Sequence, residues 1–288
     1  MEINSRYMSF AFCKNKLNSP LLFILSFLLG SIGSTSCKKQ ETSEFTDTPI
    51  IESYLQPGNY FTVNIRRQIP FSDNVKYSSD DINNLAPEVR YNNLSYTLTP
   101  LGEGKYIDST IILSAGNSFD LSFQFNSKKV TAYTYVPSKP ASVSQSATEM
   151  HLTKIDSTFT GPQSGITQPD PVIISWDNPE KSYYLIVIEN IETNPEPVRD
   201  FGTGTPPANR FRKSPTNFSV EEINSREFQY FGTYRIILFH VLPDYAALYN
   251  QSNTSSQNLS NPSTSIVNGY GIFTGLNSDT LYVEIIRQ

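Results

Sequence analysis

From Tyr60 the chain alternates, with Phe61, Val63 and Ile65 apolar and Thr62, Asn64 and Arg66 polar. A period of two belongs to a strand with one face buried and the other in water. Phe119, Leu121, Phe123 and Phe125 repeat the pattern, Asn126-Ser127-Lys128 marks a turn, and Val130–Val136 returns, which predicts a hairpin. Tyr96–Thr99 and Lys105–Ile107 flank Pro100-Leu101-Gly102-Glu103-Gly104 and predict a second hairpin with a glycine-bearing loop. No window between Ile50 and Pro140 carries a helical period. This stretch is therefore expected to be a small all-β sandwich.

Pro137 to Ala147 ends that pattern with two prolines and four serines, the marks of a boundary. Beyond it, Val172–Trp176, Tyr183–Ile188, Thr233–Phe239 and Thr280–Ile286 are expected strands. The fold class is thus all-β, with two tandem β-sandwich domains at 50–140 and 141–288. Two insertions interrupt the second. Residues 194–217 are rich in Pro, Gly and Arg, and residues 243–278 hold a short helix expected after Pro243 and then a Ser/Asn tract. Long loops in a domain are most often functional or mobile, so binding is expected there.

The amino-terminal part has another logic. Lys14 and Lys16 precede the apolar run Leu21–Gly33, and Ser34-Thr35-Ser36 lead to Cys37. A basic region, an apolar core and small residues before a cut describe an export signal. A membrane-spanning helix needs about 20 apolar residues, and Ser26, Gly30, Ser31 and Gly33 break this run sooner. Residues 1–36 resemble a bacterial lipoprotein signal, in which the thiol of Cys37 is diacylated. Ser34 departs from the aliphatic residue usual at that position, and ordinary signal-peptidase cleavage nearby is the alternative. Lys38, rather than Asp, after the cysteine favours the outer membrane. Residues 37–49 read as a polar tether.

Charge and composition narrow the chemistry. The chain carries −5. Arg6, Lys14 and Lys16 against Glu2 leave +2 in residues 1–36, so the remainder carries −7. Such an acidic surface disfavours nucleic acid. Of the two cysteines, Cys13 falls in the signal and Cys37 at the cut, so no disulfide supports the fold. Its stability must come from burial, and aromatic residues make up 12% of the chain.

Chemistry is sparse. His151 and His240 are the two histidines and share no short spacing, so no His/Cys metal site is expected. Gly161-Pro-Gln-Ser164-Gly165 has the wrong spacing for a nucleophile elbow. Gly269, Gly271 and Gly275 fail a dinucleotide loop and read as turn glycines. Asp73, Asp80 and Asp81 lack a calcium-loop spacing and read as a solvated acidic loop. Asp108-Ser109-Thr110, Asp156-Ser157-Thr158 and Asp279-Thr280-Leu281 resemble O-glycosylation sites of Bacteroidota. The remaining candidates are Arg199, Arg210, Arg212 and Lys213 with Phe201 and Phe211, because Arg and aromatic side chains are enriched at binding hot spots. Tyr245, Tyr249, Tyr270 and Phe273 are candidate stacking residues if exposed.

Pro171–Pro179, with Trp176, resembles the second strand of a fibronectin type III module, and Thr233–Phe239 resembles the strand carrying that module's core tyrosine. The first domain is similar to immunoglobulin-like or prealbumin-like modules. The whole chain resembles an uncharacterised family of Bacteroidota outer-membrane lipoproteins. The likeness rests on Cys37 with its signal, the stretch from Tyr54 to Asp73, "VPSKP" at 136–140, "WDNP" at 176–179 and the closing stretch from Asn268 to Glu284. Members of that family accompany TonB-dependent transporters, which implies a cell-envelope role and supplies no catalytic residue. The expected protein is thus a non-enzymatic lipoprotein without cofactor or metal, anchored through Cys37 to the outer membrane. Its expected partner is an outer-membrane transporter or another envelope protein, with Arg199, Arg210, Phe211, Arg212, Tyr245 and Tyr249 as candidate contacts.

Overall fold

A computed structural model describes residues 47–68, 80–155, 168–202, 204–251 and 264–288. The signal, Cys37 and most of the tether lie outside the described residues, as do Asp73, Asp156-Ser157-Thr158 and the Gly161–Gly165 motif. The side chain of Asp80 is likewise outside them.

The chain enters through β1 (Pro49–Leu55) and β2 (Tyr60–Arg67), an antiparallel pair. β3 (Glu88–Tyr91) and β4 (Leu94–Thr97) form a hairpin, as do β5 (Thr99–Gly102) and β6 (Lys105–Ile112). β7 (Ser118–Phe125) and β8 (Lys128–Tyr135) form another. Its turn residues Asn126 and Ser127 have φ of 46° and 66°, the left-handed pair that a two-residue loop needs to match strand twist. The sheet β4-β3-β7-β8 faces β1-β2-β6-β5. Phe61, Phe119, Leu121, Phe123 and Val130 fill the space between, with the Phe61 and Phe119 rings 5.4 Å apart.

The expected strand at Tyr96–Thr99 is in fact two. Leu94–Thr97 pairs with β3 in one sheet, Thr99–Gly102 pairs with β6 in the other, and buried Leu98 carries the chain across the core between them. A single turn of helix, α1 (Asp80–Asn83), has too few residues for a period and was not expected.

The second core is built from β9 (Ala141–Gln145), β10 (Glu149–Leu152), β11 (Val172–Asp177), β12 (Tyr183–Asn190), β13 (Arg210–Arg212), β14 (Val220–Ile223), β15 (Gly232–Val241) and β16 (Tyr270–Arg287). One sheet runs β14-β11-β9; the facing strands run β13-β12-β15-β16, with β10 parallel to the end of β16. Trp176 lies inside, 5.3 Å from the ring of Tyr184. Tyr234 is buried near the start of β15, and its hydroxyl accepts the backbone N–H of Tyr230 at 2.9 Å, which ties the preceding loop to the strand. The helix expected after Pro243 is α2 (Pro243–Gln251).

β16 corrects the expectation for the last strand. It spans 18 residues rather than Thr280–Ile286. Tyr270–Gly275 pairs in parallel with β1, and Leu276–Ile285 pairs antiparallel with β15. A nine-stranded sheet therefore runs through both cores. Gly271 and Gly275 are not turn residues. A Cβ at Gly271, where φ is 100°, would overlap the carbonyl oxygen of Ile51, and one at Gly275 would overlap that of Tyr135 and lie 2.8 Å from the Cα of Val136. These glycines are required by backbone approach. Ile266 and Phe273, in the expected second insertion, belong to the first core.

Candidate functional site

Where the two cores meet, the outer face of the long sheet is apolar. Along β12, Tyr184, Ile186 and Ile188 point into the second core, which leaves Leu185 and Val187 on the opposite face. They cluster with Ile237, Val241 and Leu276, and α2 covers them with Tyr245. Asp244 fixes the start of that helix: its Oδ1 accepts the N–H of Tyr245 at 2.8 Å and the hydroxyl of Thr274 at 3.0 Å. Burial nevertheless pushes the Asp244 carboxyl above the ordinary Asp range.

The covered face ends in a polar-aromatic group. Arg212 on edge strand β13 donates from Nη1 to the Tyr245 hydroxyl at 3.1 Å, and its guanidinium carbon lies 5.9 Å from the Tyr249 ring centre. Cation and ring at that distance attract. Tyr54, on the outward face of β1, meets Tyr245 edge to face at 6.3 Å. Burial raises the Tyr54 hydroxyl pKa, Glu52 and Tyr245 add to the rise, and Arg212 opposes it. Arg212 and Tyr54 are exposed, while Tyr245 and Tyr249 are half-buried.

The structure thus brings together three expected contacts, Arg212, Tyr245 and Tyr249, and separates the rest. Arg210 lies two residues along the same edge, opposite Glu189. Phe211 points the other way and packs on the second core. Lys213 is taken up by Glu221 and Glu227, at 2.9 and 3.2 Å. Arg199 is elsewhere, on the wall of the cavity described below. Phe273, expected as a stacking residue, is fully buried 6.1 Å from the Phe61 ring and cannot meet a ligand. Tyr54 was missed, although its signal is legible: Ile51, Ser53 and Leu55 are buried while Glu52 and Tyr54 are not.

A cavity of about 770 Å³ opens at the end of the second sandwich, where β10 and β16 finish and β11 and β15 begin. Leu152, Val198 and Phe228 supply its apolar lining, and Arg199, Phe201, Arg226, Gln229 and Gln288 are among its polar and aromatic wall.

His240 stacks on Tyr184 with centres 4.8 Å apart, and its Nδ1 lies 2.9 Å from the carbonyl oxygen of Ser138. His151 is an exposed residue of β10. Asp108 lies where the pairing of β6 with β2 shifts register, accepting from the Thr110 N–H and hydroxyl and the Ile111 N–H. Asp81 pairs with Arg67, which also holds Asp47. Among the described residues, no group of three or more His, Cys, Asp and Glu is placed to hold a metal, and no helix is long and apolar enough to cross a membrane. No protein-family model matches the chain, and no curated protein matches it either.

Proposed function

We propose that the chain is a non-enzymatic outer-membrane lipoprotein, anchored by diacylated Cys37, that serves as a binding or assembly module of the cell envelope. One observation carries the reading. The described chain begins beside the start of β16, with Ile50 opposite Tyr270, and the cavity lies at the other end of that strand, beside Gln288. At about 3.3 Å per residue, β16 puts the two on the order of 50 Å apart. An anchor ahead of Asp47 would therefore leave the cavity at the end of β16 farther from the membrane. Diacylglycerol gives the two chains that stable anchoring needs. Replacing Cys37→Ala should move the protein from the membrane fraction to the soluble fraction; a mutant still in salt-washed membranes would overturn the proposal.

The junction group is the proposed protein contact. Tyr54, Arg212, Tyr245 and Tyr249 are the residue types enriched at hot spots, and the second sandwich is read as fibronectin type III-like, a scaffold of many cell-surface modules. The cavity favours a second reading, an accessory component that captures a ligand for a TonB-dependent uptake complex. Pull-down from detergent-solubilised membranes tests it. A transporter recovered with the wild type and lost with Arg212→Ala plus Tyr249→Ala is the expected result, and equal recovery with both would remove the junction from the contact.

A further inference from the structure

We propose that the cavity at the pole of the second sandwich binds a small carboxylate-bearing polyol, of the sugar-acid class. The inference goes beyond the envelope role and does not depend on lipidation. Its first support is charge. Arg199 and Arg226 line the cavity and, among the described residues, no Asp or Glu side chain does, although the chain as a whole carries −5. Neighbouring cations outside the lining are neutralised: Lys154 and Arg287 both reach Glu196, at 2.5 and 3.2 Å. No ion pair among the described residues uses Arg199 or Arg226. Two unpaired guanidinium groups at one cavity are a receptor for an oxyanion, since their forked N–H donors match carboxylate geometry.

The second support is that both arginines sit on pinned backbone. Val198 and Asp200 flank Arg199 and are tied to Ile155 by backbone bonds of 2.8 Å in each direction. Arg226 lies in the 3-10 turn Ser225–Glu227, closed by the Glu227 carboxylate accepting the Asn224 N–H at 2.7 Å. A site held by its backbone loses less freedom on binding.

The third is the free hydrogen-bonding capacity of the amides. Gln168 uses its oxygen to accept the Ser225 hydroxyl, and Gln288 uses its oxygen to accept from Thr153 at 3.4 Å. Their NH₂ groups are left as donors. Gln229 does the reverse, donating its NH₂ to the Arg226 carbonyl and leaving its oxygen to accept. Such a mixed set suits hydroxyl groups beside the anion, and the Leu152, Val198 and Phe228 surface suits the carbon face of a ring. A volume of about 770 Å³ is within the range of small-molecule sites.

The test is titration of the purified full-length protein in detergent with galacturonic acid, its uncharged methyl ester and inorganic phosphate, read by calorimetry. The acid should bind, the ester at least tenfold more weakly, and phosphate should not displace the acid. Arg199→Gln and Arg226→Gln should each weaken binding tenfold or more with unchanged melting temperature, and Arg212→Gln at the junction should leave it unchanged. Equal binding of acid and ester, full binding by the double Arg199→Gln, Arg226→Gln variant, displacement by phosphate, or no heat up to about 10 mM acid would each overturn the site. Cys37→Ala protein should bind the acid as the wild type does, so failure of the site and failure of the anchor are read separately.

Discussion

The side-chain amide of Asn277 donates to the carbonyl oxygen of Pro137 at 3.0 Å, in the protein interior. One residue is mid-strand in β16, and the other begins the segment that passes from the first core to the second. Gly275 N–H reaches the Thr134 hydroxyl at 3.1 Å, and Lys139 pairs with Asp279 at 2.9 Å. Burial raises the Asp279 carboxyl, and the bonds from Lys139 and the Thr280 N–H outweigh it, so the net shift is downward. The passage between the cores is therefore fastened to the sheet rather than left as a free linker. Asn277→Leu removes the donor and leaves the Pro137 carbonyl buried without a partner, at a cost of about 1–3 kcal/mol. Urea unfolding of the variant beside the wild type measures this.

Because β16 contributes Phe273 to one core and Ile285 to the other, the two halves should unfold in one transition. Phe273→Ala should cost about 3–5 kcal/mol and Ile285→Ala about 2–5 kcal/mol, each lowering the same midpoint. Fluorescence of Trp176, in the second core, reports it. A Phe273→Ala protein whose Trp176 signal melts at the wild-type temperature would separate the halves.

Gly275→Ala should be among the most damaging single changes, above about 4 kcal/mol, because the added methyl meets the backbone of Tyr135 and Val136 rather than a side chain that can turn away. Soluble yield and thermal melting of the variant check it.

Much of this fold was legible in the sequence. The alternation at Phe61–Ile65 and Phe119–Phe125 reports one buried face directly, and Trp176 and Tyr234 lie inside the second core as the resemblance to a fibronectin type III module implied. The first half of β16 was not legible. Residues 272–277 are all buried, so no alternation marks them, and their glycines resemble turn signals. Phe273 was misplaced for that reason. At the junction, Arg212 with Tyr245 and Tyr249 could be proposed from residue type, but Tyr54 is remote in sequence and joins them only through the pairing of β1 with β16. The cavity is assembled from strand ends and loops far apart in the chain, and of its wall only His151, Arg199 and Phe201 stand out in the sequence.

Tyr234→Phe keeps the ring and deletes the hydroxyl that accepts the Tyr230 N–H. A buried donor left unpaired costs about 1–3 kcal/mol. Chemical denaturation should show the loss with no change in the slope of the transition.

Asp244 supplies a pH test. Its carboxyl is raised in the folded protein, mainly by burial. A raised acid favours the fold fully below its unfolded pKa, and that contribution is lost as pH climbs through the folded value. The Asp244→Asn variant keeps an acceptor for Thr274 and Tyr245 but does not ionise. Its melting temperature should gain on the wild type as pH rises from about 3 through the raised Asp value and then stay parallel to it. A constant gap across that range would contradict the shift.

The length of β16 also sets an order of assembly. Neither hydrophobic interior can seal until residues 270–287, late in the sequence, have been synthesised and laid down between β1 and β15. Until then both halves present open sheet edges, the kind of surface that recruits other chains. A growing polypeptide of this design matures at one moment rather than half by half, and a stop codon or proteolytic nick ahead of Tyr270 would forfeit both halves together.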